Sequence, residues 1–440
     1  MLKKSLWVLG IVSVLAIGQV SILFAGGYES PGLGAKALSM GGAFIGLADD
    51  WTAVYWNPAG LTQLKNKGIG LSLTQPNPKI KDGNSVANPN QADMSIDQND
   101  VFTRIPSAPY NEPTYFNKEE VTTHLYNPGI GGYTQWRDFV IGGGIYVPIS
   151  NKMDWDDTIK DLNTNADIYG AYKTSLYMMV TTISLAKEIT PELSVGGGIN
   201  YLYGKLTQDA KKKYTCAAIP ALNYTFNSES DGSGTGFEGI IGLMYKPKPE
   251  LNIGMVYRTG SKIDLDGSAK TQHTLLGINE SSDYTQKVHH PTTYGIGIAY
   301  RYNPRLTLTS DFARTDWTTM GKEIDFETAG LVVLKDISKD LDWKVTNRVR
   351  LGGEYKLDDK MLLRGGFSLD PAAVPDKGVS LTNLVEVDKK FITLGLSRGY
   401  TWHNLLVDAT YEYAWGDREI NNVNYNYHSY AFTLAGICQF

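Results

Sequence analysis

The feature that most constrains the fold is a two-residue alternation that recurs along most of the chain. In YAFTLAGICQF, Tyr430, Phe432, Leu434, Gly436, Cys438 and Phe440 share one face, and Ala431, Thr433, Ala435, Ile437 and Gln439 share the other. In the run before it, Leu405, Val407, Ala409, Tyr411, Tyr413 and Trp415 point one way, while Leu406, Asp408, Thr410, Glu412 and Ala414 point the other. Side chains of a strand alternate between faces, so each run has one apolar face and one face carrying polar groups and carboxylates. About fourteen such runs lie near 68–75, 124–136, 139–148, 173–187, 192–207, 234–246, 250–266, 286–301, 305–315, 343–356, 361–370, 389–398, 402–414 and 425–440.

The connections between runs decide the architecture. Short ones fall at Arg137-Asp138, Ile189-Thr190-Pro191, Pro247-Lys248-Pro249, Asn303-Pro304, Asp358-Asp359 and Gly399-Tyr400. Long polar ones fall at 76–123, 149–172, 208–233, 267–285, 316–342, 371–388 and 415–424. Short periplasmic turns alternating with long extracellular loops are the plan of an outer-membrane barrel. A mean hydropathy of −0.23 suits such a barrel as well as a soluble protein, because only alternate residues face lipid. The 27 tyrosines, 46 glycines and 9 tryptophans tilt the reading to the barrel, through interfacial girdles and glycine-rich strands. The terminal Phe440 on an apolar face resembles the C-terminal signature of bacterial outer-membrane barrels. The predicted fold class is all-β: a transmembrane antiparallel β-barrel of about 14 strands.

Residues 1–25 read as a signal peptide, with Lys3 and Lys4 before an apolar run from Leu6 to Ala25. Their removal takes the formal charge from −5 to −7, which argues against a nucleic-acid partner. Two cysteines, Cys216 and Cys438, exclude a disulfide framework by number. Six histidines show no metal-ligand spacing, and His289-His290 reads as a strand entry. No metal or cofactor is expected. Gly234 to Gly239 matches GxGxxG but enters a strand pattern, so the dinucleotide context fails. GxSxG, HExxH and CxxC motifs are absent, and His403 falls in a periplasmic turn, so no catalytic group is expected.

Residues 26–66 break the alternation. ADDWTAVYWNPAGL, Ala48 to Leu61, follows a glycine-dense stretch, and its aromatic residues need cover. Eight strands already enclose about as much lumen as side chains can fill, so a wider bore has room for a plug. The predicted domains are a signal peptide (1–25), an N-terminal hatch plugging the lumen (26–66) and the barrel (67–440).

This ordered set of segments resembles the FadL/TodX family of outer-membrane transport proteins for hydrophobic compounds. The resemblance rests on the Asn57-Pro58-Ala59 element in the knot, on HHPTTYGIGIAYRYNPRLTLTSDFARTDWTTM (289–320), and on VRLGGEYKLDDKMLLRGGFSLDPAAVPD (349–376). It implies passive uptake of a hydrophobic small molecule across the bacterial outer membrane. Loops capture the molecule, the lumen binds it, and it leaves sideways through a gap where a strand is kinked. The surroundings would be outer-membrane lipid and lipopolysaccharide, and the protein a monomer. The alternative is a FadL-like barrel serving protein secretion as shuttle or anchor.

Asn57, Pro58 and Ala59 are expected to form the hatch gate against the kinked strand. Gly142, Gly143 and Gly144 are expected to form the lateral-opening kink, since glycine within a strand marks a bulge or a close approach; the same triplet at 196–198 leaves room-making for aromatic neighbours as the other reading. Arg348, Arg350 and Lys344 project inward on the tenth run, with Arg364 and Arg258 nearby, as lumen groups for a carboxylate. Asp311, Glu354, Asp408 and Glu412 also face inward and could neutralise those cations instead. Ile219 and Leu222 in one loop, and Leu331 and Val332 in another, are the capture groups, because apolar segments in water-facing loops mark grooves or cover.

Overall fold

The computed structural model describes residues 31–82, 120–122, 125–160, 166–376, 386–401, 404–420 and 423–440. The signal-peptide reading, His403 and most of the first long loop lie outside these residues.

Among the described residues, nineteen strands join in one antiparallel sheet. Fourteen of them close the barrel in this order: β1 (Gly68–Asp82), β3 (Asn127–Trp136), β4 (Phe139–Lys160), β5 (Asp167–Thr190), β6 (Leu193–Thr215), β7 (Tyr224–Lys248), β8 (Leu251–Arg258), β11 (Thr292–Asn303), β12 (Leu306–Asp316), β15 (Thr346–Lys356), β16 (Met361–Asp370), β17 (Lys389–Gly399), β18 (Leu406–Ile420) and β19 (Val423–Gln439). Pairing of β1 with β19, from Gly68 opposite Gln439 upward, seals the ring. The rest stand outside it: β2 (Glu120–Thr122), the hairpin β9 (Ser261–His273) and β10 (Ile278–His290), and the small hairpin β13 (Gly321–Phe326) and β14 (Ile337–Asp340).

The two faces follow the alternation. Ile69, Leu71, Leu73, Phe432 and Leu434 are exposed on the outer wall, while Thr74 and Thr433 meet inside, hydroxyl to hydroxyl at 3.0 Å.

The strands outrun the sequence reading on one side. β5, β6 and β7 have 24, 23 and 25 residues, whereas a tilted strand crosses a bilayer in about 9–11. Much of the segments expected as loops at 149–172, 208–233 and 267–285 is therefore continuous ladder. β9 zips onto the upper half of β7, His273 opposite Phe226, once β8 has ended. Lys211 and Lys213 face water there, so burial still alternates while hydrophobicity does not.

The core lies inside the ring. Residues 31–66 fold into the bore as a short helix (Ala35–Ser39), a second (Ala53–Trp56) and a 3-10 turn (Pro58–Gln63). Phe44, Trp51, Val54 and Leu61 are fully buried there.

Candidate functional site

The N-terminal segment touches the wall through backbone, which is why so many strand positions are glycine. A Cβ on Gly366 would strike Met40 and Gly41, one on Gly352 would strike Met40, one on Gly254 would strike Ile45, and one on Gly196 would strike Pro58 and Ala59. At these positions glycine serves close approach rather than a bulge.

Polar anchors fix the segment around the ring. Asp311 on β12 accepts N–H bonds from Phe44 at 2.7 Å and Ile45 at 2.8 Å through one oxygen. Thr393 on β17 accepts from Gly41 N–H at 3.0 Å and donates to the Ser39 carbonyl at 2.9 Å. Thr410 on β18 donates to the Ala35 carbonyl at 2.8 Å. Lys36 pairs with Asp49 at 2.7 Å within the segment. Asp311 thus holds backbone rather than serving as a partner in a side-chain ion pair.

Asn57 is fully buried. Its side-chain amide donates to the carbonyls of Ile45, at 3.0 Å, and Leu243 on β7, at 3.1 Å, and its oxygen caps Ala59 N–H at 3.1 Å. Pro58 and Ala59 rest on Gly196 of β6. The three residues therefore abut the fifth and sixth barrel strands, not the strand of the predicted kink. Val54 and Leu61 stand over Gly142 instead.

The ladder is continuous through Gly142, Gly143 and Gly144: each pairs with β3 on one side and with β5 on the other. No bulge lies there. The register of β4 against β5 shifts two residues on, between Tyr146 and Ile149, where Pro148 has no N–H to give the ladder. Pairing with β3 also ends at Tyr146, opposite Gly129. What the glycines form is a row without side chains: Gly70 on β1 lies opposite Gly131 on β3, and Gly131 opposite Gly144 on β4. A Cβ on any of the three would meet the indole of Trp51.

The inward cations divide sharply. Arg364 is bound by Glu354 at 2.7 Å and Asp408 at 2.8 Å, and also contacts Ser397. Arg348 pairs with Asp370 at 2.8 Å. Lys344 is exposed and precedes β15, so it does not join the lumen set; the strand begins at Thr346, three residues after the start of the expected run. Arg258 donates to the Tyr55 carbonyl at 2.9 Å, lies 4.8 Å over the Tyr55 ring and stands 3.5 Å from Glu238. Arg350 is buried with its guanidinium 5.2 Å over the Trp56 ring, and no carboxylate lies within ion-pair distance of it among the described residues. The two arginines grip adjacent aromatic residues of the segment from β8 and β15. Between them, with Arg348, lies a cavity of about 40 Å³, room for one or two waters and not for an organic solute.

Sequence reasoning missed Glu238 and its partners. That carboxylate is buried, accepts from Asn200 at 2.6 Å and meets His290 Nδ1 at 2.6 Å. His289-His290 reads as a strand entry in the sequence, and the carboxylate that meets His290 lies 52 residues away, beyond any local pattern. Of the loop residues, Ile219 and Leu222 are exposed at the tip between β6 and β7. Val332 is exposed too, but Leu331 packs against buried Tyr284, Ile324, Phe326 and Leu334. Glu280 on β10 holds that loop by accepting N–H bonds from Val332, Val333 and Leu334 at 2.6, 2.9 and 3.1 Å. These backbone donors hold its carboxyl below the usual range against the opposing effect of burial.

The family model for outer membrane transport proteins (OMPP1/FadL/TodX) matches residues 21–436 of this fourteen-stranded barrel. The chain belongs to this family. Outer membrane protein P1 of Haemophilus influenzae is 25% identical over 308 residues, 64% of this chain and 63% of that protein. The chain thus spans less than two thirds of that relative's length. The long-chain fatty acid transport protein of Escherichia coli is 22% identical over 310 residues, 62% of this chain and 68% of that protein. Among solved structures, a Pseudomonas aeruginosa FadL homologue superposes with a TM-score of 0.74 at 15% identity, covering 94% of this chain and 100% of that one. The Ralstonia pickettii toluene transporter TbuX gives 0.64 at 17%, covering 93% and 99%. These OMPP1/FadL/TodX structures share the fold. The family and the barrel together put the chain in the outer membrane.

Proposed function

We propose that this barrel is a passive channel that carries amphiphilic hydrophobic molecules with a terminal carboxylate inward across the outer membrane, with residues 31–66 as its hatch. The observation that carries the reading is Arg350. It is a buried arginine of the bore with no carboxylate in ion-pair contact among the described residues, Asp311 and Asp370 acting on it only at longer range, and it leans on an aromatic residue of the segment that blocks the way. A carboxylate entering from the extracellular side pairs with that guanidinium, bidentate where the fork allows. The stronger charge pairing competes with the contact to Trp56, a cation–π interaction of about 0.5–2 kcal/mol. Ligand binding and loosening of the hatch are then one event. The Arg348 and Arg364 pairs are lumen structure in this account, and Arg258 keeps its hold on Tyr55.

The exit is lateral, at the glycine row of β1, β3 and β4, with Trp51 as the inner stopper and the end of the β3–β4 ladder at Tyr146 as the weak seam. Ile219, Leu222 and Val332 are the exposed apolar groups that meet the solute first.

The test is uptake of dodecanoate and of toluene by proteoliposomes. Arg350→Ala should slow dodecanoate by about tenfold, the effect of losing roughly 1.4 kcal/mol, and leave toluene unchanged. Equal slowing of both would remove the carboxylate role. No uptake of either by the unaltered protein would sink the transport reading.

A further inference from the structure

The outer wall carries a recess of about 670 Å³, within the roughly 300–1,000 Å³ of ligand pockets. Glycines make the space: Gly68, Gly131, Gly132 and Gly144 all line it, and Gly132 on β3 and its partner Gly143 on β4 leave two adjacent positions of the outward set without side chains. Gly131, Gly132 and Gly144 line the floor, and Ile69, Ile130 and Ile145 the sides. Those three isoleucines are exposed, so the recess opens to the bilayer. Its lining includes Gly68 and Ile69 at the start of β1, which puts it in the periplasmic half of the wall. Exposed Lys67 stands at that rim.

We propose that this recess is a binding site for one acyl chain of a phospholipid of the periplasmic leaflet, with the phosphate held at Lys67. An acyl chain already surrounded by lipid gains nothing from leaving water. What holds it is the filling of a concavity that would otherwise lack contact atoms, together with charge pairing at the rim. The assignment rests on the transport reading only for its consequence: the bound chain lies outside the glycine row that Trp51 closes from within, so a departing solute must displace it.

Native mass spectrometry of the full-length protein, washed in detergent and titrated with phosphatidylglycerol, tests the site without any transport step. The unaltered protein should retain one phospholipid. Ile145→Trp and Ile130→Trp crowd the recess from its two sides without touching a glycine. Both should cut retention about tenfold, with Lys67→Ala having a smaller effect in the same direction. Heat-modifiability on gels checks that each variant folds. Equal retention in all of them, or none in the unaltered protein, overturns the site. Retention of a free fatty acid in place of phospholipid overturns the lipid assignment while leaving the exit reading standing, and dodecanoate uptake, measured separately, judges that reading.

Discussion

The two flanks of the barrel hold the N-terminal segment in opposite ways. On the β15–β18 side, the wall is tied to itself by charge: Arg364 bridges Glu354 on β15 and Asp408 on β18, and Arg348 binds Asp370. Hydroxyls of Thr393 and Thr410 then fasten the segment to that wall. On the β1–β4 side the wall offers Gly70, Gly131, Gly142 and Gly144, and the segment answers mainly with apolar groups, the Trp51 indole with Val54 and Leu61, and with one side-chain tie, from Gln135 to the Leu64 carbonyl at 2.6 Å. Buried ion pairs are costly to break, because either partner left alone is an uncompensated charge. An aromatic face on glycine backbone is held mostly by contact area. In the function proposed above, that difference makes one flank the anchor and the other the side that yields.

No effect should exceed that of removing the anchor. Arg364→Ala strands the buried carboxylate of Asp408, leaves half-buried Glu354 with only Lys36 at 3.8 Å, and should destabilise the barrel by about 3 kcal/mol, measured by urea unfolding in detergent. Arg364→Met would sharpen the comparison if it costs as much, since only the lost charge is then at issue. Trp51→Ala should cost about 3 kcal/mol through the void it leaves. Unlike Arg364→Ala, it should raise single-channel conductance, because it opens the flank that yields. A Trp51→Ala barrel that stays as closed as the unaltered one would break the comparison.

The smallest effect concerns pH. Asp50, beside Trp51, has its carboxyl pushed up to about 6 by burial, against the pull of hydrogen bonds from Thr52. The folded segment therefore binds a proton more tightly than the unfolded chain. Its contribution to stability is complete below the ordinary value of 3.8 and is lost as pH rises through about 6. Asp50→Asn should flatten that slope and stabilise the packed segment at pH 7.5 by roughly 1–3 kcal/mol. Trp fluorescence during pH-dependent unfolding would follow it, and a slope unchanged in Asp50→Asn would place the titration elsewhere.

Much of this was legible in the sequence, for a physical reason. Where lipid covers the outer face, hydrophobicity and burial alternate together, so the strand count and the faces of β18 and β19 could be read from residues alone. Above the lipid the outer face meets water, and Lys211 and Lys213 sit where Ile199 and Tyr201 sit lower down. The alternation loses its apolar signal there, so ladder reads as polar loop in the sequence. The inward arginines are legible, and so are Glu354 and Asp408, the partners of Arg364; Asp370 for Arg348 and Glu238 for Arg258 are not, because those pairings depend on register across strands. Acids were correctly placed inside, yet Asp311 turned out to cap backbone N–H groups. At 142–144 the glycines were visible and their purpose was not. Close approach and a bulge leave the same letters, and the register shift lay at Pro148, the residue whose missing N–H announced it.

The most direct measurement of the central claim, that a carboxylate at Arg350 loosens the hatch, is hydrogen exchange across residues 31–66 with and without saturating dodecanoate. Local opening exposes amides that packing protects. The account predicts faster exchange on adding dodecanoate for the Phe44 and Ile45 amides and for residues 53–60, and no change in Arg350→Ala. Protection that stays constant or rises in the unaltered protein while dodecanoate crosses the membrane would contradict it.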